Sequence, residues 1–139
     1  VEDVPLMLKT NNGKYNSWED LNNQNVTVAV TMGTVQEKRA ETIFFKSKII
    51  KVSAPARDFQ EVLSRRADIS MTSNLEAAKL VEQYPEMMVV PVKEGKNPTP
   101  LAVLLPQSDQ VWINYVNHWI TLKTKRGFFD QLKAKWLKQ

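Results

Sequence analysis

The sequence contains no cysteine and a single histidine, His118. Without cysteine, the chain has no disulfide, no thiolate zinc site and no thiol nucleophile. One histidine also argues against a histidine-rich metal site and against a Ser-His-Asp triad. His118 lies between Asn117 and Trp119 in a helical pattern, and we expect it to be a surface residue. We predict that the protein uses no metal and no cofactor.

Long hydrophobic runs are also missing. The apolar run at residues 101–105 is far too short to cross a bilayer, which argues against a membrane protein. The chain does not open on a basic segment followed by an apolar one, so we expect any export signal to be absent or already removed. With 139 residues and 42% hydrophobic content, the chain is long enough to bury the core of one compact domain.

Basic residues are concentrated near the C-terminus. The net charge is +4, and six of the 19 basic residues follow residue 120. Such a tail is typical either of nucleic-acid binding or of the solvated faces of two amphipathic helices. The aromatic residues of the tail have the spacing of a helix core, and no nucleic-acid-binding motif accompanies them. We therefore favour the helices and expect no nucleic-acid partner.

Short apolar runs alternate with helical patterns through the middle of the chain. Runs rich in β-branched residues predict strands at residues 26–30, 49–52, 68–71, 87–90 and 101–105. Helical spacing is found at residues 34–45, 56–64 and 74–83. This alternation indicates an α/β fold with a parallel-rich sheet.

Two aromatic-rich helices are predicted at the C-terminus. Apolar residues from 111 to 120 form one broad helical stripe, and a second stripe begins at Phe128, after Gly127 has ended the first helix. The stretch KEGKNPTP, residues 93–100, is typical of a linker because its glycine and prolines resist helix formation. The two helices need a substantial apolar surface to cover them.

The turn after the strand predicted at 26–30 contains Gly33, Thr34 and Val35. In α/β sheets, ligands bind beyond the carboxyl ends of strands, where helix starts present free N–H groups. The Thr34 hydroxyl and the N–H groups of Thr34 and Val35 can bind a carboxylate, and Gly33 allows its close approach. The local pattern favours a helix cap, because Glu37 follows Thr34 by three residues. One threonine can fill both roles.

A second junction of strand and helix carries Thr72, Ser73, Asn74 and Glu76. A carboxylate in the first turn of a helix is stabilised by the helix dipole, which is the simpler interpretation of Glu76. Alternatively, Glu76 faces the same cleft as Thr34, as a charge partner or a general acid/base. The local pattern does not choose between these interpretations.

Five stretches of the chain, taken in order, resemble a known family. They are SWEDLNNQNVTVAV, MGTVQEKRA, DFQEVLSRRADISMTS, YPEMMVVPV and YVNHWITLKTKRGFFDQLKAKW. In this order they resemble the second lobe and C-terminal segment of the bacterial periplasmic solute-binding proteins of the amino-acid-binding type (family 3). Within that family, TSNLEA and LLPQSDQVWINYVNHWI most resemble the cyclohexadienyl dehydratase branch, which acts on prephenate and arogenate.

The resemblance implies a periplasmic-binding-protein type II lobe, an α/β fold with a parallel-rich sheet flanked by helices, followed by two C-terminal helices. It implies a hinge or crossover segment at 1–16, the second lobe at 17–96, and a return hinge with the C-terminal helices at 97–139. In the family, those helices pack on a first lobe that precedes this region. We expect that missing lobe, or a second chain, to cover them, and we expect a periplasmic location.

The resemblance also implies roles for residues at both junctions. Residues 33–35 match the segment that holds a ligand carboxylate, and Thr72 and Ser73 match ligand-binding positions. The position of Ser73 usually carries an aspartate that holds the α-ammonium of an amino acid, so Ser73 departs from the pattern of a standard amino-acid binder. Glu76 matches the glutamate implicated in dehydratase chemistry.

Three functions follow as hypotheses. The first is a solute-binding domain that recognises a small carboxylate-bearing ligand, an amino acid or a related acid, for the permease of an ABC transporter. The second is a cyclohexadienyl (prephenate/arogenate) dehydratase-like lyase with Glu76 as general acid/base. The third is a sensor or receptor domain with the same fold. Binding is the commoner role in the family, so we favour the first.

Overall fold

The computed structural model describes residues 1–137, which contain five strands, six α-helices and a 3-10 turn at Lys9–Asn11. In chain order the elements are β1 (Asp3–Leu8), α1 (Trp18–Leu21), β2 (Thr27–Thr31), α2 (Val35–Ile43), β3 (Lys48–Val52), α3 (Asp58–Leu63), β4 (Ile69–Ser73), α4 (Asn74–Gln83), β5 (Met87–Val89), α5 (Gln110–Lys125) and α6 (Phe128–Leu137). The chain divides into two compact units, Val1–Thr99 and a second that begins at Pro100.

The first unit is built on a mixed sheet with the strand order β3-β2-β4-β1-β5. β2 pairs in parallel with β3 and β4, whereas β1 pairs antiparallel with β4 and β5. Four strands therefore point in one direction and β1 points in the other, so the parallel-rich sheet predicted from the sequence is confirmed. Because parallel neighbours end at the same edge, the carboxyl ends of β3, β2 and β4 lie side by side.

Side chains that alternate along the strands fill an apolar layer on each face of the sheet. On one face, Val28 of β2 packs with residues of α1 and with Ala40 of α2. On the other face, Ala29 packs in a cluster with Phe59 of α3 and Leu80 of α4. Helices thus cover both faces, which is the arrangement that buries parallel strands on both sides.

One predicted strand is wrong and one strand was not predicted. Residues 101–105 form no strand, and Leu104 is 98% exposed. Pro100 and Pro106 bound this run, and proline cannot donate to a strand ladder. The unpredicted strand is β1, whose six residues are all buried because it lies between β4 and β5. It falls within residues 1–16, whose hinge role stays a prediction.

The second unit consists of α5 and α6 after an extended segment. Gly127 separates the two helices as predicted, and its φ of +68° is left-handed backbone that favours glycine. Trp119 lies edge-on to Phe128 and to Phe129, with 6.2 Å between ring centroids in each pair. Tyr115 is nevertheless 62% exposed. Across residues 1–137, no helix has both the length and the apolar character needed to cross a membrane.

Substitution of two consecutive phenylalanines tests the packing of the core in the first unit. Phe44 is fully buried, with its ring centroid 5.9 Å from that of Trp18, whereas Phe45 is 71% exposed. Phe44→Ala should lower the free energy of unfolding by about 3–5 kcal/mol, because it leaves a cavity in the core. Phe45→Ala should change it by less than about 0.5 kcal/mol. Urea denaturation followed by circular dichroism measures both, and equal losses would contradict the packing described.

Candidate ligand-binding cleft

A cleft of about 350 Å³ lies at the carboxyl ends of β2 and β4. Three chain segments line it with mostly polar side chains, namely Thr31, Thr34, Gln36, Ala54, Arg57, Asp58, Met71, Thr72 and Glu76. Thr31 is the last residue of β2, and Thr72 is the next-to-last residue of β4. The two junctions identified in the sequence therefore meet at one cleft.

Thr34 caps α2. Its hydroxyl accepts a hydrogen bond from the Glu37 N–H at 3.3 Å and donates one to the Thr31 carbonyl at 2.6 Å. The Glu37 carboxylate in turn accepts from the Gly33 N–H at 2.7 Å, and this bond, together with Lys51, holds the pKa of the Glu37 carboxyl below its usual range. The helix cap predicted from the local pattern is confirmed.

This cap uses some of the donors that a ligand would need. The Gly33 N–H is bound to Glu37, and the Thr34 N–H lies 3.4 Å from the Thr31 carbonyl oxygen. The N–H groups of Val35 and Gln36 have no hydrogen-bond partner within residues 1–137. They are among the first N–H groups of α2, which no helix can satisfy internally. The free donors at this turn are therefore those of Val35 and Gln36, and the Thr34 N–H is already engaged.

Two neighbours hold the carboxylate of Glu76. Its Oε2 accepts a hydrogen bond from the Thr72 hydroxyl at 2.6 Å, and its Oε1 forms an ion pair with the Arg57 guanidinium. The Glu76 N–H donates to the hydroxyl of Ser73, which caps α4. The Glu76 side chain is 39% exposed, so solvent reaches it.

Three of the six predicted site residues line the cleft, and three do not. Those that line the cleft are Thr34, Thr72 and Glu76. Their chain neighbours Gly33, Val35 and Ser73 do not line it; their roles here are a turn with φ of +79°, a helix start and a helix cap. Ligand contact by any of these residues stays a prediction. His118 is exposed, as predicted.

Arg57 and Asp58 also line the cleft, although the sequence pattern did not indicate them. They follow β3 at the start of α3, and Asp58 is 6% exposed, with one carboxylate oxygen accepting from the Thr31 hydroxyl at 3.2 Å. Burial raises the pKa of the Asp58 carboxyl, and the charge of Glu76 adds to the rise, while the Thr31 hydrogen bond opposes it. The available signal was a polar pair at the start of a helix that follows a parallel strand.

The sheet covered by helices on both faces, with a polar cleft beyond its parallel strands, has the fold of a periplasmic-binding-protein lobe, and solved structures confirm this fold. An ancestral cationic amino acid solute binding protein matches 98% of the chain at 35% identity, with a TM-score of 0.81. An amino acid ABC transporter substrate-binding protein from Streptococcus pneumoniae, bound to L-arginine, matches 99% with a TM-score of 0.79. At 19% identity, this second match supports the fold alone.

In sequence, the chain is similar to cyclohexadienyl dehydratase from Pseudomonas aeruginosa. The two are 26% identical over 134 residues, which is 96% of this chain and 50% of the dehydratase. The chain likewise spans 58% of the ancestral binding protein and 57% of the streptococcal one. No protein-family model matches the chain. Two resemblances inferred from the sequence are confirmed. Five ordered stretches indicated the periplasmic amino-acid-binding proteins, and TSNLEA and LLPQSDQVWINYVNHWI indicated the dehydratase branch.

The raised pKa of Asp58 predicts how stability changes with pH. Above its ordinary value of 3.8 and up to the raised value, folded Asp58 keeps a proton that the unfolded chain has released. Its contribution to the free energy of unfolding therefore falls as the pH rises through this window. Asp58→Asn removes the titrating carboxyl group but keeps an oxygen that can accept the hydrogen bond from the Thr31 hydroxyl. We expect the variant to gain stability relative to the wild type as the pH rises.

Thermal unfolding of both proteins at a series of pH values measures this difference. Comparing the two proteins cancels the other titrating groups, which both share. A constant difference in Tm across the acidic range would show that Asp58 does not titrate abnormally in the fold.

Proposed function

We propose that residues 1–99 form the ligand-binding lobe of a periplasmic solute-binding domain, and that it recognises a small carboxylate-bearing ligand, an amino acid or a related acid. The observation that carries this proposal is the set of donors around one cleft. Gln36, whose N–H group is free, lines this cleft together with Thr34 and Arg57. Each carries a group that binds carboxylates in proteins.

The start of α2 supplies the anion site in this proposal. The N–H groups of Val35 and Gln36 donate to the ligand carboxylate, and the positive end of the helix dipole favours its charge. The Thr34 hydroxyl turns its proton from the Thr31 carbonyl to the ligand, which requires rotation of the hydroxyl alone. Its acceptor role toward Glu37 is kept, so the helix stays capped while the ligand is bound.

One solved neighbour, at 35% identity, supports this ligand class, because it is described as a cationic amino acid solute binding protein. Since the chain spans 58% of that protein, the rest of such a protein is part of the proposal. A further lobe, or a second chain, then covers α5 and α6, where Trp112 and Tyr115 are exposed. An ABC transporter permease is the partner, and the periplasm is the location.

A dehydratase is the second candidate, favoured by Glu76 and by the likeness to cyclohexadienyl dehydratase. In this reaction, a protonated Glu76 gives its proton to the departing hydroxyl of prephenate or arogenate. Water and carbon dioxide leave together as the ring becomes aromatic. Glu76 borders the cleft and is part exposed, so a substrate can reach it. Against this role, its carboxylate is engaged by the Arg57 cation.

Substitution of Thr34 tests the binding proposal. A panel of amino and dicarboxylic acids is first screened by thermal shift with the protein expressed from its complete gene. Thr34→Val removes the hydroxyl and should weaken the best ligand by about 1.5–3 kcal/mol, or roughly ten- to a hundredfold. Thr34→Ser keeps the hydroxyl and should bind like the wild type. Each variant is compared with and without ligand, so the lost cap does not affect the result. Undiminished binding by Thr34→Val would refute the anion site.

Turnover of prephenate and arogenate tests the second candidate. The appearance of an aromatic product is followed with wild-type protein and with Glu76→Gln, which keeps the shape of the side chain but cannot transfer the proton. General acid/base catalysis typically contributes about 10²–10⁴-fold in rate, so the variant should lose activity by that factor. Thr72→Val, which removes the other hydrogen bond to Glu76, serves as a milder comparison. Absence of turnover by the wild type, or equal turnover by Glu76→Gln, would eliminate Glu76-dependent dehydration.

A further inference from the structure

The ion pair between Arg57 and Glu76 links the segments that follow β3 and β4, two strands that are not neighbours in the sheet. Arg57 immediately precedes α3, after β3, and Glu76 lies in the first turn of α4, after β4. β2 lies between those two strands, and its last residue, Thr31, lines the cleft. The pair therefore connects two sides of the cleft that Thr31, Thr34 and Gln36 also line.

Solvent reaches both members of this pair. The side chains of Arg57 and Glu76 are 45% and 39% exposed. Exposed ion pairs contribute little to stability, because water screens the charges and two long side chains must be held in one geometry. A ligand that offers Arg57 a carboxylate can therefore replace Glu76 at small expense. The Arg57 guanidinium is thus paired with a carboxylate both before and after the ligand binds.

Asp58 makes the charge of the cleft unbalanced. The cleft is lined by two carboxyl groups, those of Asp58 and Glu76, and by one cation, Arg57. Asp58 is buried, yet within residues 1–137 no lysine or arginine forms an ion pair with it. Buried carboxylates are normally paired, because an isolated charge is costly to remove from water. A ligand that brings its own positive group supplies the missing partner.

We propose that Arg57 and Asp58 determine the specificity of this cleft: Arg57 exchanges Glu76 for the carboxylate of the ligand, and Asp58 and the released Glu76 together bind a positive group on the same ligand. This inference rests on the proposed solute-binding function and deepens it. It selects molecules that carry a carboxylate and an ammonium or guanidinium group within a few bonds of each other. Simple carboxylates and dicarboxylates leave Asp58 and Glu76 unpaired and bind weakly.

The test compares ligands before it compares variants. The protein from its complete gene is titrated calorimetrically with L-amino acids, with the matched carboxylic acids that lack the amino group, and with the matched amines that lack the carboxylate. We expect at least tenfold weaker binding of both analogue classes than of the parent amino acid. This comparison of ligands uses wild-type protein, so its result is valid even if a variant fails to fold.

Three variants then test which residue binds the positive group of the ligand and which binds its carboxylate. Asp58→Asn should weaken the amino acid at least tenfold and leave the deaminated acid unchanged, whereas Arg57→Gln should weaken the amino acid and leave the amine unchanged. Glu61→Gln is the matched control, because Glu61 lies on the same helix and pairs with Arg66 outside the cleft, and it should bind like the wild type.

The possible results separate this inference from the function on which it rests. Equal binding of amino acids and deaminated acids would overturn the roles of Arg57 and Asp58 and leave a carboxylate-binding lobe. Wild-type affinities in Asp58→Asn and Arg57→Gln would overturn them too. If no member of any class binds, the solute-binding function itself fails.

Discussion

The parallel pairing of β2 with both β3 and β4 is the constraint on which the site depends. Register aligns Thr31 of β2 with Val52 of β3, and Ala29 of β2 with Ser70 of β4. All three strands therefore end at the same edge of the sheet, and a helix (α2, α3 or α4) begins after each of them. No single segment carries the site; the pairing assembles it from residues that lie more than forty positions apart in sequence, such as Thr31 and Glu76.

The groups that would bind a ligand also hold the lobe together. Thr34 and Ser73 cap α2 and α4, and Glu76 is tied to Thr72. Gln36 lines the cleft and also donates to the buried carboxylate of Asp3, which binds Arg39 and Asn97 as well. These contacts connect α2 to the start of β1. A ligand thus meets hydroxyl, amide and carboxylate groups that the fold has already positioned, which reduces the entropy lost on binding.

The sequence predicted the features that depend on local pattern. Helix α4 has the bounds predicted for it, and Thr34 caps α2 as its spacing to Glu37 indicated. The features that depend on partners distant in sequence were missed. β1 is an apolar run whose place beside β4 no local signal reveals, and residues 101–105 have strand-like composition without a strand to pair with. Arg57 and Asp58 were missed for the same reason, because their position in the cleft follows from the pairing of β3 with β2.

In the proposed function, a small ligand binds at the carboxyl edge of β2 and β4, against the start of α2. The most direct measurement is an amide nitrogen–proton NMR titration of isotope-labelled protein with its best-binding ligand. We expect the largest shift changes on the amides of residues 33–37 and 72–76, with smaller changes around Arg57. Shift changes confined to other parts of the chain would contradict it, as would a saturable ligand that leaves these amides unmoved.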